Sequence, residues 1–257
     1  MLLLLSPAKS LDYETPATTQ AATTPQFIAQ ASELIDILKT KTPAQIAELM
    51  NLSEPLAALN AGRYATWSRR FTARNSKPAV LAFNGDVYEG LAATTLSEAD
   101  LAWAQDHLAI LSGLHGVLRP LDRLQPYRLE MGTALPNARG KNLYDFWRDT
   151  IADHLNQRLA GRKQPLIVNL ASQEYFRAID RKALQARVIE CVFEDWKGGR
   201  YKVISFFAKR ARGLMARYAI TRRIATPRRL EQFSSEGYAF DERASAPDRL
   251  VFRRKLA

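Results

Sequence analysis

Apolar residues along the first third of the chain follow two different patterns, and each pattern predicts a different element. Leu2 to Leu5 form an uninterrupted apolar run that ends at Ser6-Pro7, which is typical of a buried strand. Residues 14–25 are rich in Thr, Ala and Pro and predict an extended surface connection. The apolar residues that follow recur at helical spacing, at Phe27, Ala31, Leu34, Ile35 and Leu38.

Two short helices joined by a tight turn are predicted within residues 42–67. Thr42-Pro43-Ala44-Gln45 has the pattern of a capping box and begins a helix that ends at Met50. Asn51-Leu52-Ser53 breaks this helix, and Ser53 can cap a second one that carries Leu56, Leu59 and Tyr64.

This helix pair also has the frame of a helix-hairpin-helix motif, in which backbone N–H groups of the turn bind a DNA phosphate. Asn51 and Ser53 are the candidate DNA-binding residues of the turn. The usual hairpin glycines are absent, Pro55 removes one donor, and Glu54 repels phosphate. A purely structural helical hairpin explains the same pattern.

The rest of the chain mixes strands and helices without regular alternation, so we expect an α/β fold of mixed α+β type. The prediction is one domain over residues 1–257, a mixed sheet with surrounding helices and a helix-hairpin-helix-like subdomain. Residues 110–114 fit either a strand or a helix end, and residues 116–132 predict an irregular loop. Strands are predicted at 79–83, 166–170, 188–193, 201–206 and 249–253, with a hairpin turn at 197–200. Helices are predicted at 143–159, at 207–222 and after Ser97, which caps a helix containing Leu101, Trp103 and Leu108.

The net charge of +11 lies in the last quarter of the chain. Residues 197–257 hold 16 basic and 5 acidic residues, whereas the first 196 residues hold 21 of each. This asymmetry indicates a surface for a polyanion such as nucleic acid. Because Arg outnumbers Lys 26 to 11, a compositional bias that leaves only a solvated basic face explains it as well.

The predicted helix at 207–222 is amphipathic. Its apolar side consists of Phe207, Ala211, Leu214, Met215 and Tyr218, and its basic side includes Arg223. The candidate phosphate contacts on the basic side are Lys209, Arg210, Arg212 and Arg217.

Composition argues against a membrane protein, a secreted protein, a thiol redox sensor and a metal-binding protein. No apolar run is long enough to span a membrane, and Leu2–Leu5 is too short for a signal peptide, so we expect a cytoplasmic protein. Cys191 is the single cysteine and lies in an apolar run, which predicts a buried thiol rather than a redox sensor. His107, His115 and His154 have no ligand spacing, and neither a metal nor a cofactor is expected.

Several sequence blocks give the chain a family resemblance that extends from residue 1 to about residue 252. The blocks are Ser6-Pro7-Ala8-Lys9-Ser10, Phe83-Asn84-Gly85-Asp86-Val87-Tyr88, residues 111–120, residues 126–132, Asn169-Leu170-Ala171-Ser172, and Ala208-Lys209-Arg210-Ala211-Arg212-Gly213. With them the chain resembles the YaaA family of bacterial peroxide stress resistance proteins.

The resemblance implies a cytoplasmic protein that protects against hydrogen peroxide and limits free intracellular iron. It also implies an unusual single-domain α/β fold and double-stranded DNA binding through a helix-hairpin-helix element beside a positive cleft. Asn84 stands where the family commonly has Lys, which removes one possible phosphate contact, and His115 stands where Tyr is common. The expected partner is therefore double-stranded DNA, bound mainly through its phosphates, with no membrane and no obligate protein partner.

Polar residues in the loops after the predicted strands and in the irregular loop at 116–132 could form an active site. In sheet-based folds, residues beyond the strand ends gather in one crevice. Lys9, Asp86, Arg128 and Glu130 would supply a base, an acid and a phosphate clamp for an enzyme acting on a nucleotide, a damaged base or a phosphorylated small molecule. The same residues could instead be structural salt bridges around a DNA groove. Other polar residues in these loops are Tyr88, Arg119, Tyr127, Asn169, Ser172 and Glu174.

Overall fold

The computed structural model describes residues 1–255, whose largest sheet has eight strands of mixed direction. The strands of the chain are β1 (Leu2–Leu5), β2 (Ser10–Leu11), β3 (Lys77–Pro78), β4 (Phe83–Asn84), β5 (Leu108–Ser112), β6 (Gly116–Leu118), β7 (Arg123–Leu124), β8 (Leu166–Asn169), β9 (Arg187–Lys197), β10 (Arg200–Lys202), β11 (Ala239–Phe240) and β12 (Arg249–Arg254). The helices are α1 (Ile28–Lys39), α2 (Pro43–Met50), α3 (Glu54–Thr66), α4 (Ala79–Ala82), α5 (Asp86–Leu91), α6 (Glu98–His107), α7 (Leu143–Trp147), α8 (Thr150–Leu159), α9 (Gln173–Phe176) and α10 (Ser205–Thr221).

The buried strand β1 lies in the interior of this sheet, as the apolar run predicts. The strand order is β11-β12-β9-β8-β1-β5-β6, and β10 pairs with β9. β1 is parallel to both neighbours, with Leu3 opposite Leu108 on one side and Val168 on the other. The chain reaches β5 first and then places β8 on the opposite side of β1. The order therefore reverses at β1, and ligands bind at such switch points, beyond the carboxyl ends of the strands.

Local capping signals in the sequence are confirmed. The Thr42 and Ser97 side chains each accept a hydrogen bond from the third residue of the following helix, and that residue's side chain binds back. The hairpin turn between β9 and β10 is also confirmed, with Gly198 and Gly199 both at positive φ. These elements depend on neighbours within a few residues, which explains why the sequence alone specifies them.

The predicted helix pair corresponds to α2 and α3, joined at Asn51, which has the left-handed conformation (φ 50°). A separate helix-hairpin-helix subdomain is not confirmed. The Tyr64 hydroxyl of α3 donates to the carbonyl of Arg128, which ties the helix pair to the main fold. Ser53 occupies the N-cap position of α3 without a side-chain capping bond.

Several of the elements predicted from the sequence are wrong. Residues 79–83 form helix α4 and the start of β4, because the N–H groups of Ala79 and Val80 bind carbonyls of the 120–122 loop instead of a sheet neighbour. The helix predicted at 143–159 is two helices, broken at Arg148 (φ 35°). Residues 116–132 include strand β6, and the strand predicted at 201–206 ends at Lys202. A short apolar run fits a buried strand or a buried helix equally well.

Candidate functional site

A cavity of about 420 Å³ lies beyond the carboxyl ends of β1 and β8. Lys9, Asp86, Arg128 and Glu130 all line it, although they are far apart in the chain. Lys9 follows β1, Asp86 begins α5, and the other two lie in the loop after β7. The structure thus brings the four predicted residues together, and whether they are catalytic stays a prediction.

Glu130 is the centre of an ion-pair network in this cavity. Its Oε2 lies 2.7 Å from Nζ of Lys9, and its Oε1 lies 3.0 Å from Nη2 of Arg128. The side chain of Arg128 is 16% exposed, whereas that of Lys9 is 63% exposed. Arg128 therefore fixes the carboxylate from the inner side, and Glu130 in turn holds the amine of Lys9 at the rim of the cavity.

A second acid–base pair joins α5 to α10 across the cavity. Lys209 Nζ lies 3.8 Å from the Asp86 carboxylate, and both side chains remain partly exposed. The two helices approach closely because Gly90 of α5 and Gly213 of α10 have no side chains. A Cβ on Gly90 would lie 2.2 Å from the Arg210 carbonyl oxygen, and one on Gly213 would lie 1.8 Å from the Val87 carbonyl oxygen. This close packing places the basic residues of α10 beside the cavity.

Hydroxyl groups form another wall of the cavity. Ser6, directly after β1, donates to the Ser172 hydroxyl (3.3 Å) and accepts from the Ser172 N–H (2.8 Å). Tyr88 donates to the Ser6 carbonyl at 3.0 Å. Tyr127 lines the cavity and Tyr88 lies behind Ser6, and burial raises the pKa of both, so these phenols stay protonated at neutral pH and do not act as bases.

Of the other polar residues predicted for this region, some line the cavity and others only hold neighbouring loops in place. Glu174 lines the cavity and accepts from the Gly132 N–H at 2.9 Å. Arg119 instead forms an ion pair with Asp122, 2.9 Å away. Asn169 accepts from the Ala171 N–H and so fixes the turn after β8. Lys209 and Arg212, predicted only as DNA contacts, also line the cavity because α10 packs on α5, and Ser6 lines it from the loop after β1.

The predicted basic side of α10 is not a free solvent-exposed stripe. Arg210 pairs with Glu236 at 2.6 Å, and Arg217 donates to the carbonyls of Leu91 and Ala92, both at 3.1 Å. Lys209 and Arg212 line the cavity. The cause is that α10 packs on α5 as well as on the sheet, so Arg217 caps the end of α5. DNA contact by these four residues stays a prediction.

Asn51 and Ser53 are exposed in the turn between α2 and α3 and do not line this cavity. Arg63 of α3 lines a neighbouring hollow that shares Asn84 with it. The α3 helix therefore borders the same side of the molecule as the cavity, while DNA binding by its preceding turn stays a prediction.

Cys191 is a buried thiol, as the sequence predicts. Its side chain is buried in β9, and burial raises its pKa to about 12, so it is not a reactive thiolate at neutral pH. Within residues 1–255, no three His, Cys, Asp or Glu side chains group as metal ligands. In the same residues, no helix is both long and apolar enough to cross a membrane.

Comparison with known proteins places the chain in a family. A UPF0246 protein of Paracidovorax citrulli is 66% identical over the full length of both chains. UPF0246 proteins of a Polaromonas species and of Bordetella pertussis are 65% and 63% identical, again over the full length of both chains. The family model described as "Peroxide stress protein YaaA" matches residues 1–244. The chain therefore belongs to the peroxide stress protein YaaA family.

Proposed function

We propose that this peroxide stress protein binds double-stranded DNA through its phosphates, protects it, and limits free intracellular iron in the cytoplasm. The observation that carries DNA binding is the surplus of unpaired cations in the last quarter of the chain. Of its 16 basic residues, 11 form no ion pair with any part of residues 1–255. Unpaired surface cations attract the DNA backbone and release its counterions on binding.

Lys209 is the residue best placed for a direct phosphate contact. Its side chain is 51% exposed, and its distance of 3.8 Å from Asp86 leaves hydrogen-bonding capacity for another acceptor. Arg210 and Arg217 are less suited to this role because their guanidinium groups already bind protein oxygens. The DNA would therefore approach the mouth of the cavity, where Lys9 is also exposed.

Charge reversal at Lys209 tests duplex binding. We expect Lys209→Glu to weaken the binding of a 20-base-pair duplex at least ~10-fold at 0.1 M salt. The slope of log affinity against log salt should become shallower by about 1 or more. The matched control is Lys163→Glu, which changes an exposed lysine of the neutral first 196 residues that has no acidic partner within residues 1–255, and it should change affinity little. Equal affinity of Lys209→Glu and the folded wild type would contradict the proposal.

A second candidate function is an enzyme acting on a nucleotide, a damaged base or a phosphorylated small molecule in the cavity. The observation that favours it is the contact of Glu130 with both Lys9 and Arg128, since salt bridges that only fix loops do not need an exposed lysine at the rim of a cavity. The ammonium group of Lys9 can bind an anionic group of a substrate, and the contact with Glu130 fixes its position.

If the cavity is an active site, a substitution in it should abolish protection from hydrogen peroxide without changing duplex affinity. Lys9→Ala should retain wild-type duplex affinity but lose protection of cells from hydrogen peroxide. Lys182→Ala, which removes an exposed lysine elsewhere, should retain both properties. Normal protection by Lys9→Ala would exclude the enzyme function, and loss of duplex affinity together with protection would assign Lys9 to DNA binding instead.

A further inference from the structure

Arg212 is a mostly buried cation without a counter-ion. It lines the cavity from α10, and it makes no hydrogen bond or ion pair with any other side chain or backbone group of residues 1–255. Burial lowers the pKa of its guanidinium, and the main charge that opposes this effect is that of Glu190, an exposed residue of β9. An arginine held in this way is expensive to bury unless an anion occupies the space beside it.

The remaining charges of the cavity do not neutralise Arg212. Glu130 is occupied by Lys9 and Arg128, Asp86 faces Lys209, and Glu174 accepts the Gly132 N–H. One positive charge is thus left over at the inner wall of the cavity. The Ser172 hydroxyl accepts a hydrogen bond from Ser6 and can donate its own hydrogen bond to another acceptor.

We propose that this cavity binds a phosphate monoester, with Arg212 as its main anchor. Arginine presents several N–H donors in a planar fork that matches phosphate oxygens, and the additional donors nearby suit a group with three acceptor oxygens. The volume of about 420 Å³ lies in the range of small-molecule sites and leaves room for more than a free phosphate. The position beyond β1 and β8 is where sheet-based folds bind phosphorylated ligands.

The phosphate monoester can come from a free nucleotide or from the phosphorylated end of a nucleic-acid strand. The inference deepens the second candidate function, because it names the ligand class of the same cavity. It does not depend on duplex binding, which involves internal phosphodiesters at the mouth.

The test uses the full-length protein and calorimetric titration with inorganic phosphate, deoxyadenosine 5′-monophosphate, deoxyadenosine, acetate and an oligonucleotide with or without a 5′-phosphate. We expect the phosphate-bearing probes to bind and the unphosphorylated probes and acetate not to bind. A stronger response to the nucleotide than to the phosphorylated oligonucleotide identifies a free nucleotide as the source, and the reverse identifies a strand end.

Arg212→Met removes the charge at similar length and should weaken binding of the monophosphate by at least ~10-fold. Arg212→Lys should retain part of the affinity. Arg222→Met, at the exposed end of α10, is the control and should bind normally. Unchanged binding by Arg212→Met, equal binding of acetate, or no binding of any phosphate by the wild type overturns the proposal.

A melting measurement without ligand separates a binding role from a structural one. A binding residue that is buried without a partner costs stability, so Arg212→Met should melt at the same temperature as the wild type or higher. A clearly lower melting temperature for both Arg212→Met and Arg212→Lys would show that Arg212 is structural and would overturn the proposal. Duplex affinity, measured in parallel, tests the DNA-binding function independently.

Discussion

His115 is a fully buried imidazole in which neither ring nitrogen has a hydrogen-bond partner within residues 1–255. Its ring packs edge-on against Phe71 and Tyr127. Burial lowers the pKa of His115 to about 3, and burial together with nearby arginines lowers that of His154 to about 4. Both side chains are therefore neutral in the folded protein and add a pH dependence to its stability.

This pH dependence has a definite sign. In the unfolded chain a histidine titrates near its ordinary pKa of ~6.5. Between that value and the lower folded pKa, only the unfolded chain binds the proton, so stability is lost as pH falls below ~6.5. For His115 the loss at pH 5 is roughly 2 kcal/mol. We expect His115→Phe to melt a few degrees higher than the wild type at pH 7.5, with a larger difference at pH 5.

The control for this substitution is His107→Gln, which changes a partly exposed histidine whose Nδ1 already contacts the Trp103 carbonyl. It should leave most of the acid sensitivity in place. A wild-type pH profile in His115→Phe would contradict the assignment of that sensitivity to the buried ring.

Individual side chains differ in how well their positions could be predicted. Lys9 could be placed near a strand end because the loop after a buried run leads to the edge of the sheet, whereas Glu130 could be assigned only to an irregular loop. The contacts of Arg210 with Glu236 and of Arg217 with the end of α5 could not, since each partner is distant in the chain. A helical wheel separates apolar from basic positions, but it does not show that a second helix covers the basic ones.

At the level of elements, the packing of α5 on α10 determines the geometry of the cavity. The two helices contact through Gly90 and Gly213, where any side chain would overlap a backbone oxygen of the opposite helix. Asp86 and Lys209 lie across this contact, so a change in the distance between the helices changes the cavity as well. The sequence does not predict α5, because a six-residue helix gives little periodicity.

Gly213→Ala tests this contact. The added Cβ would lie 1.8 Å from the Val87 carbonyl oxygen, and backbone on both sides prevents an easy shift. We expect a loss of about 2–4 kcal/mol in the free energy of unfolding, measured by urea denaturation. The matched control is Gly62→Ala in α3, where nothing lies within 4 Å of the new Cβ. There alanine should stabilise the helix by roughly 0.5–1 kcal/mol. Equal effects of the two substitutions would contradict the close contact.

Elements whose hydrogen-bond partners lie nearby in the chain could be predicted from the sequence, and elements whose partners are distant in the chain could not. The helices begun by Thr42 and Ser97 have their capping partners within three residues, and both are confirmed. The run at 79–83 was assigned to the wrong element because its hydrogen-bond partners lie in the 120–122 loop. Position in the sheet is a property of the whole chain and cannot be read from a five-residue window.

At the scale of the whole molecule, the uneven distribution of charge determines the direction of the electric field. The first 196 residues contain equal numbers of basic and acidic groups, so the net positive field originates from the last quarter. A polyanion is therefore attracted toward α10 and the β9–β10 hairpin rather than toward the molecule as a whole. This attraction acts before contact and should appear in the association rate.

Two triple substitutions with the same change in net charge test this distribution. Lys197→Gln/Arg200→Gln/Lys202→Gln removes the unpaired hairpin cations, and Arg69→Gln/Arg70→Gln/Arg74→Gln removes three exposed cations from the neutral region. In stopped-flow mixing with a duplex at low salt, the hairpin variant should associate roughly 10-fold more slowly than the wild type, and the other variant should change much less. The difference should disappear at ~0.5 M salt, where charges more than a few ångströms apart are screened. Equal slowing by the two variants would show that net charge, rather than its location in the last quarter, attracts the DNA.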